Sequence, residues 1–199
     1  MEIDCFWALV EESGRRAPGR DERLAWLRQE LRRRPAEEIV GFQTCLDAVT
    51  EEAFTWEVWA AADHILGWCS DDGFTDFRLW LVGLGRDVFD RAVADPDTLA
   101  ETAEIRRLAQ EWPRGGGDEA LLPEWECLDY VAMEAYALRT GGGDACEEAF
   151  HDAVDAAGGG CDPGREPRGT RWDVRDPVRL ARRLPRLGAL LPSTHGALR

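Results

Sequence analysis

The stretch WEVWAAADHILGWCSDDGFTDFRLWLVGLG, residues 56–85, holds two helical patterns separated by a turn. Trp56, Trp59, Ala60 and Asp63 stand at the spacing that puts side chains on one helix face, so a helix is expected from Trp56 to about Trp68. Cys69-Ser70-Asp71-Asp72-Gly73 carries turn and capping residues. A second helix follows, with Phe74, Phe77 and Leu81 inward and Gly83 and Gly85 near its end. A half-buried strand would alternate polar and apolar residues, and no run of four or more in the chain does so cleanly. The stretch therefore points to an all-α fold.

Working outward, the same period recurs. Ile3, Phe6, Trp7 and Val10 form a stripe ending near Gly14, and Leu24, Leu27 and Leu31 form another, with Asp21 as the expected N-cap. Pro35 suits the first turn of a helix bearing Ile39, Phe42, Leu46 and Val49. Val88, Phe89 and Ala92 mark a short helix. Asp95-Pro96 opens another, expected to end before Pro113 and the glycines at 115–117. Pro123 to Arg139 reads as one helix with Trp125, Leu128, Ala132 and Ala135 on one face. Asp144 and Glu147 form a capping box for a helix reaching about Ala157. The glycines at 158–160 begin an irregular stretch, and a last short helix starts at Asp176-Pro177 with Leu180 and Leu184.

The chain has 199 residues, 44% of them hydrophobic, with nine tryptophans, which is material for one single compact multi-helix domain. The expected organisation is a helical body over 1–157, a Gly-rich linker over 158–175, and a C-terminal helix and tail over 176–199. All 24 basic residues are arginine, and the net charge is -15. The missing lysine removes Schiff-base and P-loop chemistry, and the acidity repels phosphate backbones and anionic lipid. No nucleic acid and no membrane is expected as a partner. Residues 35–164 carry -22 and residues 165–199 carry +6, so the basic end is expected to fold back on the acidic body.

The six cysteines, at 5, 45, 69, 127, 146 and 161, show no CxxC or metal-knuckle spacing. With an acidic N-terminus lacking a secretory pattern and no apolar run of about 20 residues, free thiols in a cytoplasmic protein are expected.

Eight of the 18 aromatic residues lie between Phe54 and Phe89. Among them stand Asp63, His64, Cys69, Asp71, Asp72, Arg78 and Arg86. Asp63 shares a face with Trp56 and Trp59 and needs a partner there, for which Arg78 or Arg86 is the sequence's candidate. Ser70, Asp71 and Asp72 read first as helix capping, and second as a pocket in which an acid accepts from a ligand that stacks on Trp68 or Trp80. Metal spacing is lacking, there is no GxSxG, and the neighbouring acids oppose thiolate formation at Cys69, which reads as buried and inert. Glu126, Asp129 and Glu134 read as a solvated helix face, and Arg28, Arg32, Arg33 and Arg34 as a dipole-favoured helix end.

The run Cys69 to Phe89, with Pro96 to Ala100, resembles a bacterial family catalogued as domain of unknown function 4240. Phe6-Trp7, the Trp56–Trp59 segment, Tyr130 to Tyr136 and Arg183 to Leu187 are similar to it as well. Members usually read Asn-Gly-Gly before the Cys-Ser-Asp-Asp turn, where Leu66-Gly67-Trp68 stands here. The resemblance implies a stand-alone bacterial cytoplasmic protein and implies no activity.

Three functional readings follow. The first is a non-enzymatic binding or regulatory module, needing no cofactor and no metal, whose aromatic, acid and arginine site around 69–86 takes a small polar ligand or a protein partner. Its expected residues are Asp63, His64, Trp68, Asp71, Asp72, Arg78, Trp80 and Arg86. The second is a small hydrolase or transferase with Asp71 or Asp72 as general base and Arg78 and Arg86 stabilising negative charge. The third is an acidic protein that neutralises a basic partner.

Overall fold

A computed structural model describes residues 1–111, 119–142, 146–160 and 164–192. Among these residues the fold is all-α, and the one isolated bridge, Thr55 with Arg168, builds no strand. The helices are α1 (Ile3–Arg16), α2 (Arg20–Arg32), α3 (Ala36–Glu52), α4 (Trp56–Leu66), α5 (Asp71–Gly83), α6 (Arg86–Ala94), α7 (Ala103–Glu111), α8 (Val131–Thr140), α9 (Cys146–Ala156), α10 (Pro177–Arg183) and α11 (Pro185–Leu190). The chain divides into two compact units. The first comprises Met1–Glu52, Val82–Arg86 and Trp125–Arg165; the second comprises Ala53–Leu81, Asp87–Glu124 and the chain from Glu166. This division differs from a body over 1–157 with an appended end.

In the first unit α2 and α3 pack on α8, and α9 covers α3 and α8. The stripes meet as their periodicity requires: Phe6 lies 4.9 Å from Phe42 between ring centroids, and Leu27, Leu31, Ile39 and Leu46 are wholly buried. Buried Ser13 donates to the Val10 carbonyl and accepts from Arg23 Nε at 3.1 Å. Arg23 also donates to the Gly83 carbonyl at 2.9 Å while its guanidinium lies 4.6 Å from the Trp125 ring centroid. A Cβ at Gly83 would overlap that indole, so the close approach requires glycine there.

In the second unit α4, α7, α11 and a 3-10 turn over Pro96–Glu101 pack together. Helices α10 and α11 of the basic C-terminal segment belong to this unit, where α11 packs on the 3-10 turn and on α4. Leu180, Leu184 and Leu187 are buried, and Arg186 bonds three carboxylates, those of Asp95 (2.6 Å), Asp97 (2.8 Å) and Glu101 (2.5 Å). Asp97 is only 2% exposed and also accepts the backbone N–H groups of Arg186 (3.0 Å) and Leu187 (2.9 Å). Both oxygens of this buried carboxylate are therefore satisfied.

Several element boundaries differ from the sequence reading. Gly19, extended at φ -94, is the N-cap of α2, which leaves Asp21 in the first turn. The helix expected from Asp95 to Pro113 breaks at extended Thr102, whose hydroxyl accepts from Ile105 N–H and so caps α7. The helix expected over Pro123–Arg139 is a 3-10 turn, Glu126–Leu128, followed by α8. Pro185 splits the last helix in two, because Pro supplies no N–H for the ladder. Asp144, the end at Pro113 and Cys161 lie outside the described residues; α9 begins at Cys146. The segment 166–175, expected to link, buries Trp172 and Val174 in the second unit.

Candidate functional site

The region singled out by sequence centres on α4, its exit turn and the start of α5. Thr55, extended, caps α4 by accepting Val58 N–H at 3.1 Å, and Gly67 ends the helix at φ 79, a left-handed geometry suited to glycine. That reversal leaves Trp68 68% exposed, the most exposed indole among the described residues of a tryptophan-rich chain. Ser70 begins α5: its hydroxyl accepts Gly73 N–H at 3.1 Å and its carbonyl accepts Phe74 N–H at 2.8 Å. The cap is therefore Ser70, and Asp71 and Asp72 are exposed first-turn acids favoured by the helix dipole.

Aromatic rings form a continuous stack behind this turn. Trp56 and Trp59 are 5.2 Å apart, Trp59 and Phe74 4.6 Å, and Phe74 and Phe54 6.0 Å between centroids. Trp59 Nε1 donates to the Cys69 carbonyl at 3.2 Å, which ties the turn back to α4. Arg78, 8% exposed, closes one end of the stack, with its guanidinium 4.8 Å from Phe54 and 5.2 Å from Phe74 and Nη2 donating to Thr75 Oγ1. Arg171 lies 5.0 Å from the Trp56 centroid at the other end.

Asp63 does lie on the α4 face of Trp56 and Trp59, but its partners are not those expected from sequence. Its Oδ1 accepts Cys69 N–H at 2.9 Å. Burial pushes its carboxyl above the ordinary aspartate range, partly offset by that hydrogen bond and by the charges of Arg175 and Arg171, while Asp173 adds to the rise. Arg78 is committed to the phenyl rings. Arg86 belongs to the first unit, where it bonds Asp4 at 2.7 Å. The compensating arginines come instead from the stretch read as linker, which no local spacing connects to α4.

The remaining residues divide clearly. Trp80, 4% exposed, packs against Phe77 at 5.2 Å and is core, so Trp68 alone of the two indoles is open to a ligand. His64 Nε2 lies 3.4 Å from the Leu187 carbonyl oxygen and faces the docked C-terminal segment. Cys69 is buried, and desolvation followed by the field of Asp63 pushes its thiol up to about 12, which suits the inert reading. No group of three or more His, Cys, Asp or Glu side chains with metal-binding geometry occurs among the described residues. The sequence reading missed Glu57, which accepts from Trp172 Nε1 at 3.0 Å and pairs with Arg183; its only local signal is its place in the first turn of α4.

Among the described residues no helix is long and apolar enough to cross a membrane, and the five described cysteines are free thiols. No curated protein and no solved structure matches the chain. A family model described as "Protein of unknown function (DUF4240)" matches residues 1–138, a span that takes in Phe6-Trp7, the α4 aromatics, the 69–89 run and Tyr130 to Tyr136 and stops short of Arg183 to Leu187. On that match the chain belongs to the DUF4240 family.

Proposed function

We propose that this protein is a non-enzymatic binding module of the bacterial cytoplasm, and that its α4–α5 turn takes a ligand or partner segment bearing a cationic group. The exposure of Trp68 carries the reading: a large indole held in solvent by a left-handed glycine turn, followed by the exposed carboxylates of Asp71 and Asp72. An indole face attracts a guanidinium or ammonium through its quadrupole, and the two acids add charge attraction and acceptors. Free thiols in the five described cysteines suit a reducing compartment.

A hydrolytic role has less support. Arg78 is packed on phenyl rings and Arg86 is paired with Asp4, so neither is available to stabilise charge developing near Asp71 or Asp72. Ser70 is engaged as a cap and the Cys69 thiol stays protonated at neutral pH. Thermal unfolding with N-acetylarginine amide, a hexa-arginine peptide and a hexa-glutamate peptide tests the reading. The arginine probes should raise the midpoint of the wild type by mass action. Trp68→Ala and Asp71→Asn/Asp72→Asn should fold normally and lose the shift. No shift with either arginine probe, or equal shifts in all variants, counts against the site.

A further inference from the structure

Both backbone polar groups of Cys69 are held by side chains of α4. Its N–H donates to Asp63 Oδ1 at 2.9 Å, and its carbonyl accepts Trp59 Nε1 at 3.2 Å. Asp63 and Trp59 stand four residues apart, so they rise from one face of the helix. On one side of this clamp Gly67 turns left-handed; on the other the Ser70 carbonyl accepts Phe74 N–H as α5 begins. Between those points residues 67–69 make no backbone-to-backbone hydrogen bond among the described residues. The reversal that exposes Trp68 is therefore held by two α4 side chains and by the buried Cys69 side chain.

Neither α4 side chain owes its place to cheap stability. Asp63 is half-buried, and among the described residues Cys69 N–H is its one hydrogen-bond partner, with no ion pair. Asparagine would offer the same acceptor with no charge to desolvate. Trp59 is stacked between Trp56 and Phe74, which sets the plane of its indole while its N–H reaches the Cys69 carbonyl. We infer that Asp63 and Trp59 are positioning residues of the Trp68 site: they hold the Trp68-Cys69 backbone in the conformation that presents the indole, and they do not touch the ligand. A ring presented on a fixed turn meets its ligand without first paying to order the chain that carries it. The inference rests on the binding reading of Trp68 for its consequence and on the Cys69 contacts for its geometry.

The test uses the full chain labelled with 5-fluorotryptophan, the Trp68 fluorine resonance being assigned by its loss in Trp68→Phe. Asp63→Ala should move that resonance, speed exchange of the Cys69 amide about tenfold and weaken hexa-arginine peptide binding about tenfold. Asp63→Asn keeps the acceptor and should restore the resonance and the exchange rate. Asp71→Asn/Asp72→Asn should weaken the peptide and leave Cys69 exchange as in wild type. If Asp63→Ala does not fold, Trp59→Phe decides, since it keeps a ring in the stack and loses the donor; it should move the Trp68 resonance and weaken the peptide. An unchanged Trp68 resonance and Cys69 exchange rate in Asp63→Ala, or an unchanged resonance in Trp59→Phe, overturns the inference whether or not the peptide binds. Equal peptide binding by wild type and the folded clamp variant overturns it too. A peptide that binds no form of the protein, with the resonance and exchange changed as stated, overturns the cationic-ligand reading and leaves the positioning in place.

Discussion

Ser70 and Asp72 are two residues apart and do different work. The Ser70 hydroxyl satisfies an orphan amide of α5, whereas Asp72 is an exposed first-turn acid favoured by the helix dipole. Ser70→Ala is expected to cost about 0.5–2 kcal/mol in denaturant unfolding, and Asp72→Asn a few tenths at most. Asp63 is the buried counterpart. Its raised carboxyl means the native state holds the proton more tightly than the unfolded chain, so its contribution to stability is full at low pH and is lost as pH rises from the ordinary aspartate value through the raised one. Asp63→Asn keeps an acceptor for Cys69 N–H and no charge to desolvate. Its stability should vary less with pH across that window and should not fall below wild type at neutral pH, as measured by urea midpoints. Cys69 follows the same physics from the thiol side: with its thiol raised to about 12 and buried, it should react with maleimide far more slowly than exposed Cys5 and Cys127, read by peptide mass mapping of the native protein.

The elements owe their placement to a few contacts that can be removed one at a time. Gly83 sits against the Trp125 ring, and Arg23 contacts both, over the indole and on the Gly83 carbonyl. Gly83→Ala must displace that ring and is expected to cost about 1–3 kcal/mol by overpacking, despite alanine's better helix propensity. The α11 helix depends on Asp97. Asp97→Ala leaves the Leu187 N–H buried without its acceptor, a loss of about 1–3 kcal/mol in thermal or urea unfolding, and Asp97→Asn should recover part of it. Helix identity was legible because every interior face repeats near 3.6 residues, and because Ser, Thr, Gly and Pro punctuate the ends. Breaks at Thr102 and after Leu128 were not, since both sequences continue a helical period while Thr102 takes extended backbone and Glu126–Leu128 a 3-10 turn.

At the scale of the whole molecule, the basic end is part of the second unit's core. Truncation after Gly164 removes Trp172, Val174, Leu180, Leu184 and Leu187, each buried, at roughly 1.5–3 kcal/mol per large apolar side chain. The melting midpoint followed by circular dichroism should fall sharply; an unchanged midpoint would falsify the docking. The sequence by itself determined the all-α class and the lysine-free acidic composition, because these follow from local period and residue counts, and the family resemblance, which its quoted motifs carry. Only the tertiary structure decided which arginines serve the acids. Arg78 and Arg86 are nearest to Asp63 along the chain, yet one lies on phenyl rings and the other bonds Asp4, while Arg171 and Arg175 reach the Asp63 field from more than a hundred residues away. Pairing of charges depends on distance in space and on burial, and sequence separation carries no information about either once the chain has folded back on itself.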